Sequence, residues 1–391
     1  MAAKRIGILT GGGDVPGLNL AIKTVVQHCT ERGIEVIGIR RGWKGLTHIR
    51  ADQGSDPEYM LPLNLRNTRT VDRTGGTFLH STRTQPSRMK VGEVPSWREG
   101  DLGAMREVAP GVVDFTPVVL ANLSKLGIDH LIAIGGDDTL SYARRLHLEG
   151  FPVVCIPKTM DNDVPNTEYC IGFSTAITRA VANISRQRTT VGSHERIGIF
   201  RVFGRDAGFT SLYTAYVTGI HCCIPEHVFD LDRLLDLLRQ AKESNPSSYA
   251  LVVLSEGATW EGHTVQHYGE ADAYGHRKKL SIGEALSQQV KSQLHEETMV
   301  SDLTYDLRGG PPDFIDRLVA ATFASIAVEC IADGGSGRMV GIQKGCFVEA
   351  QIPGATGKSR VIDVDAMYDT ERYLPKYGSK AGMPIFLNLV G

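Results

Sequence analysis

Lys158-Thr159-Met160-Asp161-Asn162-Asp163 and, just upstream, Gly135-Gly136-Asp137-Asp138 bring a lysine, several carboxylates and a glycine turn into one short span, each group directly after an apolar run. That is an inventory for handling phosphate and a metal ion. An aspartate at a strand end, with glycines allowing close approach, is placed to hold Mg2+ against phosphate oxygens, which suits Asp137. Asp163 is placed to orient or share the metal's waters, and Asp161 to accept a proton from a substrate hydroxyl. Thr159 would hydrogen-bond a phosphoryl oxygen, and Lys158 would neutralise charge developing during transfer. The bland alternative is that these carboxylates and Lys158 merely pair with one another. Glycine-flanked acids at two strand ends are an unusual way to build a salt bridge.

Other stretches carry similar chemistry. Ile6 to Leu9 leads into Gly11-Gly12-Gly13-Asp14-Val15-Pro16-Gly17 and then an amphipathic run to Cys29. Strand, glycine turn and helix in that order point backbone N–H groups at an anion, although a tight turn with no ligand has the same layout. Pro16 stands where G-x-G-x-x-G needs its last glycine, which weighs against an NAD-dependent oxidoreductase. Arg40 to Leu46 reads as a basic loop and Thr74 to Arg83 as a small-residue loop with hydroxyls and an arginine. Arg196, Arg205 and Arg308 suit a phosphate monoester through forked hydrogen bonding, and Glu256 suits sugar hydroxyls. His263 and His267 have metal-like spacing but no helical signal and no nearby third ligand, so a solvated loop is the better reading.

These groups need a scaffold. Strand-like and helix-like stretches alternate from residue 6, which implies a mostly parallel, doubly wound sheet with its loops on one edge. A second round of alternation follows from Ile171 to Ala258, with helices over Ile171–Arg188 and Asp232–Lys242. Later helices are expected over Ile282–Glu297 and Pro312–Asp333. At 391 residues the chain exceeds one ordinary core and predicts two domains. Residues 85–110 read as an excursion outside the core, 259–279 as a surface loop, and 358–391 as a tail without obvious chemistry.

A net charge of -2 and a pI near 6.6 exclude general attraction to nucleic acid or to anionic membranes. No apolar run nears the roughly 20 residues that span a bilayer, and the first residues lead into a strand without a signal-peptide core, which predicts a cytoplasmic protein. The seven cysteines include no CxxC pair and are expected as reduced thiols, mostly in the core.

The motifs in order resemble the phosphofructokinase family: Gly-Gly-Asp-x-Pro-Gly, Gly75-Gly76-Thr77-Phe78-Leu79, Gly135-Gly136-Asp137, Thr159 to Asp163, Phe203-Gly204-Arg205 and Arg308-Gly309-Gly310. The resemblance covers most of the chain. It implies two facing α/β domains of doubly wound, Rossmann-like type, mostly parallel, with the active site in the cleft between them. Residues 1–172 plus about 307–357 would take the phosphoryl donor, and 173–306 plus about 358–391 the sugar phosphate. By the same resemblance Asp161 is the base for the 1-hydroxyl of fructose 6-phosphate and Asp137 the magnesium-linked acid, with Lys158, Thr159, Asp163 and Arg205 completing the catalytic set. The donor would meet Gly11, Gly12, Gly13, Arg83, Gly135, Gly136, Asp138 and Lys158. The sugar phosphate would meet Thr159, Asp161, Arg196, Phe203, Gly204, Arg205, Glu256, Tyr305 and Arg308, with Arg196 reaching in from the neighbouring subunit of a homodimer.

Two positions bear on the donor. ATP-using members usually have glycine where this chain has Asp138 and Lys158, whereas pyrophosphate-using members look like this chain at both. Asp138 fills space and adds negative charge where the rest of ATP would lie, and Lys158 suits a small, highly charged donor. Reversible transfer from pyrophosphate to fructose 6-phosphate with Mg2+ is therefore the expected reaction. Alternatives are an ATP-dependent kinase, a seven-carbon acceptor such as sedoheptulose 7-phosphate, and a non-catalytic phosphate sensor. The chain departs from the family at Tyr305, where many members have histidine, and at Met299, where arginine is usual. Lys23 and Arg188 only partly echo the family's basic effector residues.

Overall fold

The computed structural model describes residues 4–53, 56–98, 100, 105–263, 267–268, 278–279, 281–354 and 358–378. The chain divides into two compact units, one of Met1–Thr159, Val164–Ser174 and Arg308–Lys358, the other of Met160–Asp163, Thr175–Leu307 and Ser359–Gly391.

The first unit holds a seven-stranded sheet. Its spatial order is Cys346–Gln351, Arg338–Gln343, Val153–Pro157, His130–Gly135, Arg5–Thr10, Glu35–Ile39 and Met60–Leu63. The inner strands pair in parallel and the outermost strand at each edge runs antiparallel to its neighbour. Arg5–Thr10, His130–Gly135 and Val153–Pro157 are almost wholly buried, as central parallel strands covered by helices on both faces must be. On one face the helices Leu18–Glu31 and Phe314–Ala332 pack together. On the other, Val119, Leu123, Leu140 and Leu146 join Trp43 and the strand residues Ala133 and Cys155 in one core.

The second unit holds an all-parallel sheet ordered His221–Cys223, Ala250–Ser255, Ile197–Val202 and Thr298–Asp302. Its helices include Phe209–Thr218 and Leu231–Ser244. The latter is started by Asp230, whose carboxylate accepts from the Arg233 N–H. The α/β, mostly parallel character expected from the alternation is thus borne out in both sheets.

Some local expectations are corrected. The basic loop after the second strand closes into a helix at Trp43–His48, because Trp43 and Leu46 bury on one side of it. The long helix begins only at Phe173, after Gly172 at φ 104, and continues to Ser193. Residues 85–110 are not merely irregular. Met89–Lys90 and Glu107–Ala109 pair with Val112–Val113 into a small antiparallel sheet over Met89, Val94, Val113, Phe115 and Val118. The helix from Ile282 keeps α geometry to Gln289 and turns π-helical over Val290–Leu294, ending at His295 in the left-handed region. The tail contains a short helix, Val364–Met367, and the pairing of Tyr368–Asp369 with Leu374–Pro375. Much of the expected 259–279 loop, including residues 264–266, and the last residues of the tail lie outside the described residues. Among the described residues the seven cysteines form no disulfide, and of the seven Cys346 alone is exposed. Among the described residues no helix is long and apolar enough to cross a membrane.

Candidate active site

In the first unit the carboxyl ends of three parallel strands lie side by side. Register pairs Thr10 with Ile134 and Gly135 with Pro157, so the loops beginning at Gly11, Gly136 and Lys158 leave one sheet edge together. Gly11 donates to the Ile134 carbonyl and Lys158 to the Gly135 carbonyl, extending the sheet into the loops. Gly12 donates to the Thr82 carbonyl, and Ser81 Oγ donates to the Gly12 carbonyl at 2.5 Å, which fixes the Thr74–Arg83 loop beside the glycines. Gly12 needs its φ of 76, a left-handed conformation that suits glycine. Gly11 and Gly135 are required for space instead, since a Cβ at either would overlap the buried side chain of Thr139.

Lys158 begins the loop after Val153–Pro157, on one side of the three strands. It is 3% exposed, and its Nζ donates to the Gly13 carbonyl at 2.6 Å. Burial pulls its pKa down to about 8, with Arg308 and Arg83 adding to the fall and Asp14 opposing it. The Arg308 guanidinium lies 3.1 Å from where a Gly13 Cβ would stand. Arg308 therefore sits beside the glycine loop and Lys158 within this unit. Asp137, half-buried, and Asp138, exposed, form the first turn of the helix Asp137–Leu148, where carboxylates also favour the positive helix end.

Mg2+ prefers hard oxygen ligands and is commonly held by one or two carboxylates together with substrate phosphates and waters. Among the described residues no group of three or more His, Cys, Asp and Glu side chains forms a metal cage. A half-buried carboxylate at Asp137, in the first turn of its helix, fits an ion that arrives with phosphate, and does not fit a closed structural site.

In the second unit Ser255 pairs with Val202 and Asp302 with Arg201, so another set of carboxyl ends is aligned. Glu256 N–H donates to the Val202 carbonyl and Gly257 N–H to the Gly204 carbonyl, binding the Phe203-Gly204-Arg205 loop to Glu256. Gly204 has φ 125. Arg205 is exposed, ion-paired to Asp206 at 3.1 Å, and its pKa is raised by Asp206 first and by Glu256 and Asp161 after it. The Met160–Asp163 segment belongs to this unit, with Asp161 and Asp163 half-buried and Asn162 in the left-handed region at φ 55. Tyr305 is exposed near the end of the unit.

Arg196 is not brought to this group. It precedes the Ile197–Val202 strand, at the end opposite Arg205 and Glu256, about 20 Å away by strand rise, and pairs with Glu297 at 2.7 Å. Met299 lies within the Thr298–Asp302 strand opposite Gly198. Arg201, which no sequence motif singles out, is held by Asp302 in two hydrogen bonds of 2.9 and 3.1 Å and lies 4.0 Å from Glu256. A lone charge inside the apolar run Ile197–Val202 was its signal. Asp14, inside the first glycine run, acts electrostatically on Lys158, and Thr139, just after the second, fills the space beside Gly11 and Gly135.

The phosphofructokinase family profile matches residues 5–331 of the chain. A Dictyoglomus thermophilum protein named pyrophosphate–fructose 6-phosphate 1-phosphotransferase is 34% identical over 373 residues, covering 95% of this chain and 98% of that protein. A Streptomyces coelicolor protein named ATP-dependent 6-phosphofructokinase 3 is 36% identical over 342 residues, covering 87% and 91%. The solved structure of a pyrophosphate-dependent phosphofructokinase from Nitrosospira multiformis superposes with a TM-score of 0.74 at 17% identity, over 99% of this chain and 92% of that one. At that identity the likeness bears on the fold alone.

Proposed function

Because the chain belongs to the phosphofructokinase family, we propose that it transfers a phosphoryl group reversibly from pyrophosphate to the 1-hydroxyl of fructose 6-phosphate, with Mg2+, giving fructose 1,6-bisphosphate and phosphate. It is an enzyme, a phosphotransferase with an alcohol acceptor. Relatives named for pyrophosphate and for ATP stand at 34% and 36% identity, a difference too small to choose the donor. The observation that supports pyrophosphate is the buried Lys158 ammonium, fixed on the Gly13 carbonyl beside Arg308.

In this reading Asp161 takes the proton of the 1-hydroxyl, whose oxygen attacks the near phosphorus while the bond to the departing phosphate breaks. Lys158 holds donor oxygens through charge-assisted hydrogen bonds, as do backbone N–H groups of the glycine loop, and Arg308, expected at the sugar phosphate, lies close enough to Gly13 and Lys158 to take up donor oxygens instead. Asp137 would hold Mg2+, which when bound neutralises charge on the donor's oxygens. Asp163 would orient the metal's waters, and Thr159 a phosphoryl oxygen. Arg201, Arg205 and Glu256 would hold the sugar phosphate, with Phe203, Gly204 and Tyr305 shaping its place and Arg196 supplied by the second copy of a homodimer. The same reading places the enzyme in the cytoplasm.

The two donor-selecting residues differ in weight. A like-charge contact at 4 Å costs about 4 kcal/mol at an effective dielectric of 20 but about 1 kcal/mol in water. Asp138 is exposed, so its repulsion of a longer polyphosphate lies nearer the smaller figure. Lys158 is buried, so its charge is felt more strongly. Initial rates of the purified protein with pyrophosphate and with ATP test the donor. Turnover with pyrophosphate is expected, and Lys158→Gly should lower its kcat/KM by more than Asp138→Gly does. Strong turnover with ATP and none with pyrophosphate would overturn the reading.

A further inference from the structure

Asp161 lies on a short irregular segment, Met160–Asp163, which has no helix or strand of its own to hold it. Three carbonyls of that segment are instead gripped from elsewhere in the second unit. Thr210 Oγ1 donates to the Met160 carbonyl at 3.0 Å. Arg360 donates through Nη1 to the Asn162 carbonyl at 2.9 Å and through its backbone N–H to the Asp163 carbonyl at 2.7 Å. The grips fall on the residue before Asp161 and on the two after it.

Both supports meet at one dipeptide. The Arg360 guanidinium lies 4.3 Å from the centroid of the buried Phe209 ring, and the next residue along the chain is Thr210. Such cation–π stacking fixes the plane of the guanidinium as well as its place. Glu226 completes the frame, its carboxylate accepting from the Gly208 N–H at 3.0 Å and the Ile362 N–H at 2.9 Å. One side chain thus ties the start of the Phe209–Thr218 helix to the segment bearing Arg360. Asn162, 2% exposed and left-handed at φ 55, is a strained residue in a turn that relaxes unless its surroundings hold it.

We propose that Arg360 is a positioning residue for the reaction, holding the Met160–Asp163 turn from both the backbone and the side chain so that the Asp161 carboxylate stays aimed at the acceptor hydroxyl. The proposal rests on the reading of Asp161 as the base. It gives a role to the 358–391 segment, in which the sequence displays no chemistry. Because proximity effects decline steeply with misplacement, loss of the grip should cost about ten- to a hundredfold in kcat. The pyrophosphate-binding residues belong to the first unit, so KM for pyrophosphate should stay unchanged.

The test uses the full chain with Arg360→Ala, Arg360→Lys, Thr210→Val and Asp161→Asn, each checked for native circular dichroism and assayed for kcat and for KM of both substrates. Asp161→Asn should abolish turnover. Arg360→Ala should lower kcat alone, with part of the loss recovered by millimolar guanidinium but not by equal sodium chloride, and Arg360→Lys should fall between it and the parent. Wild-type kcat in Arg360→Ala beside an inactive Asp161→Asn would overturn the positioning role and leave the base assignment standing. Normal turnover in Asp161→Asn would overturn the base assignment and the positioning role with it. Should Arg360→Ala fail to fold, near-isosteric Thr210→Val decides: a fall confined to kcat supports the grip, and an unchanged kcat overturns it.

Discussion

At the scale of single residues, Lys158 is the most informative position. Its ordinary pKa of 10.5 drops to about 8, chiefly through burial and then through Arg308 and Arg83. The sign of the consequence follows from which form binds an anion. Below about pH 8 the ammonium is present and attracts the donor, and above it the free enzyme loses that charge. The kcat/KM for pyrophosphate should therefore decline as pH rises through about 8, and Lys158→Met, slower throughout, should lack that limb. Coincident pH profiles would show that Lys158 does not titrate in the free enzyme. The lysine itself was legible in the sequence, since Lys158 opens the acidic run after an apolar strand. Its contact with Gly13, 145 positions away, was not.

At the scale of elements, the glycine loops illustrate how local motif and packing divide the work. The strand-turn-helix order after Ile6 predicts a loop able to face an anion, but not that Thr139 fills the space between Gly11 and Gly135. A methyl added at Gly11 overlaps the Thr139 hydroxyl and methyl, and overpacking of this kind costs about 1–3 kcal/mol. Gly11→Ala should lower stability by about that much in urea unfolding, and Thr139→Ala in the same chain should recover part of the loss. Strict additivity of the two changes would exclude the direct contact. The π-helical turn at Val290–Leu294 and the small sheet inside residues 85–113 were not legible, because short elements bury too few apolar residues to set up a period. Arg201 shows the converse. Its charge stood out within an apolar strand, yet it takes the pairing of Arg201 with Asp302 across the sheet, and the approach of Glu256, to give that charge its partners.

At the scale of the whole molecule, the question is whether one chain holds everything it needs. Arg196 and Arg205 lie at opposite ends of one strand, so both cannot meet one sugar phosphate from the same chain. If Arg196 acts in a second copy's site, the protein should scatter light as a dimer or larger. Arg196→Ala should raise KM for fructose 6-phosphate, and mixing it with inactive Asp161→Asn chains under subunit exchange should restore an intact site. No gain on mixing, with exchange confirmed, would assign Arg196 a role within its own chain. The family, the α/β alternation and most of the chemical inventory are readable along the chain, because strand-end motifs record local backbone geometry and side-chain chemistry within a few residues. Which of those groups meet is set by packing in three dimensions. Lys158 reaches Gly13, Arg308 lies beside the glycine loop, Arg196 stays apart, and Arg360 grips the turn that bears Asp161. Each of these contacts joins segments far apart in the chain, where no periodicity or spacing carries a signal and the partner is fixed by strand register and packing alone.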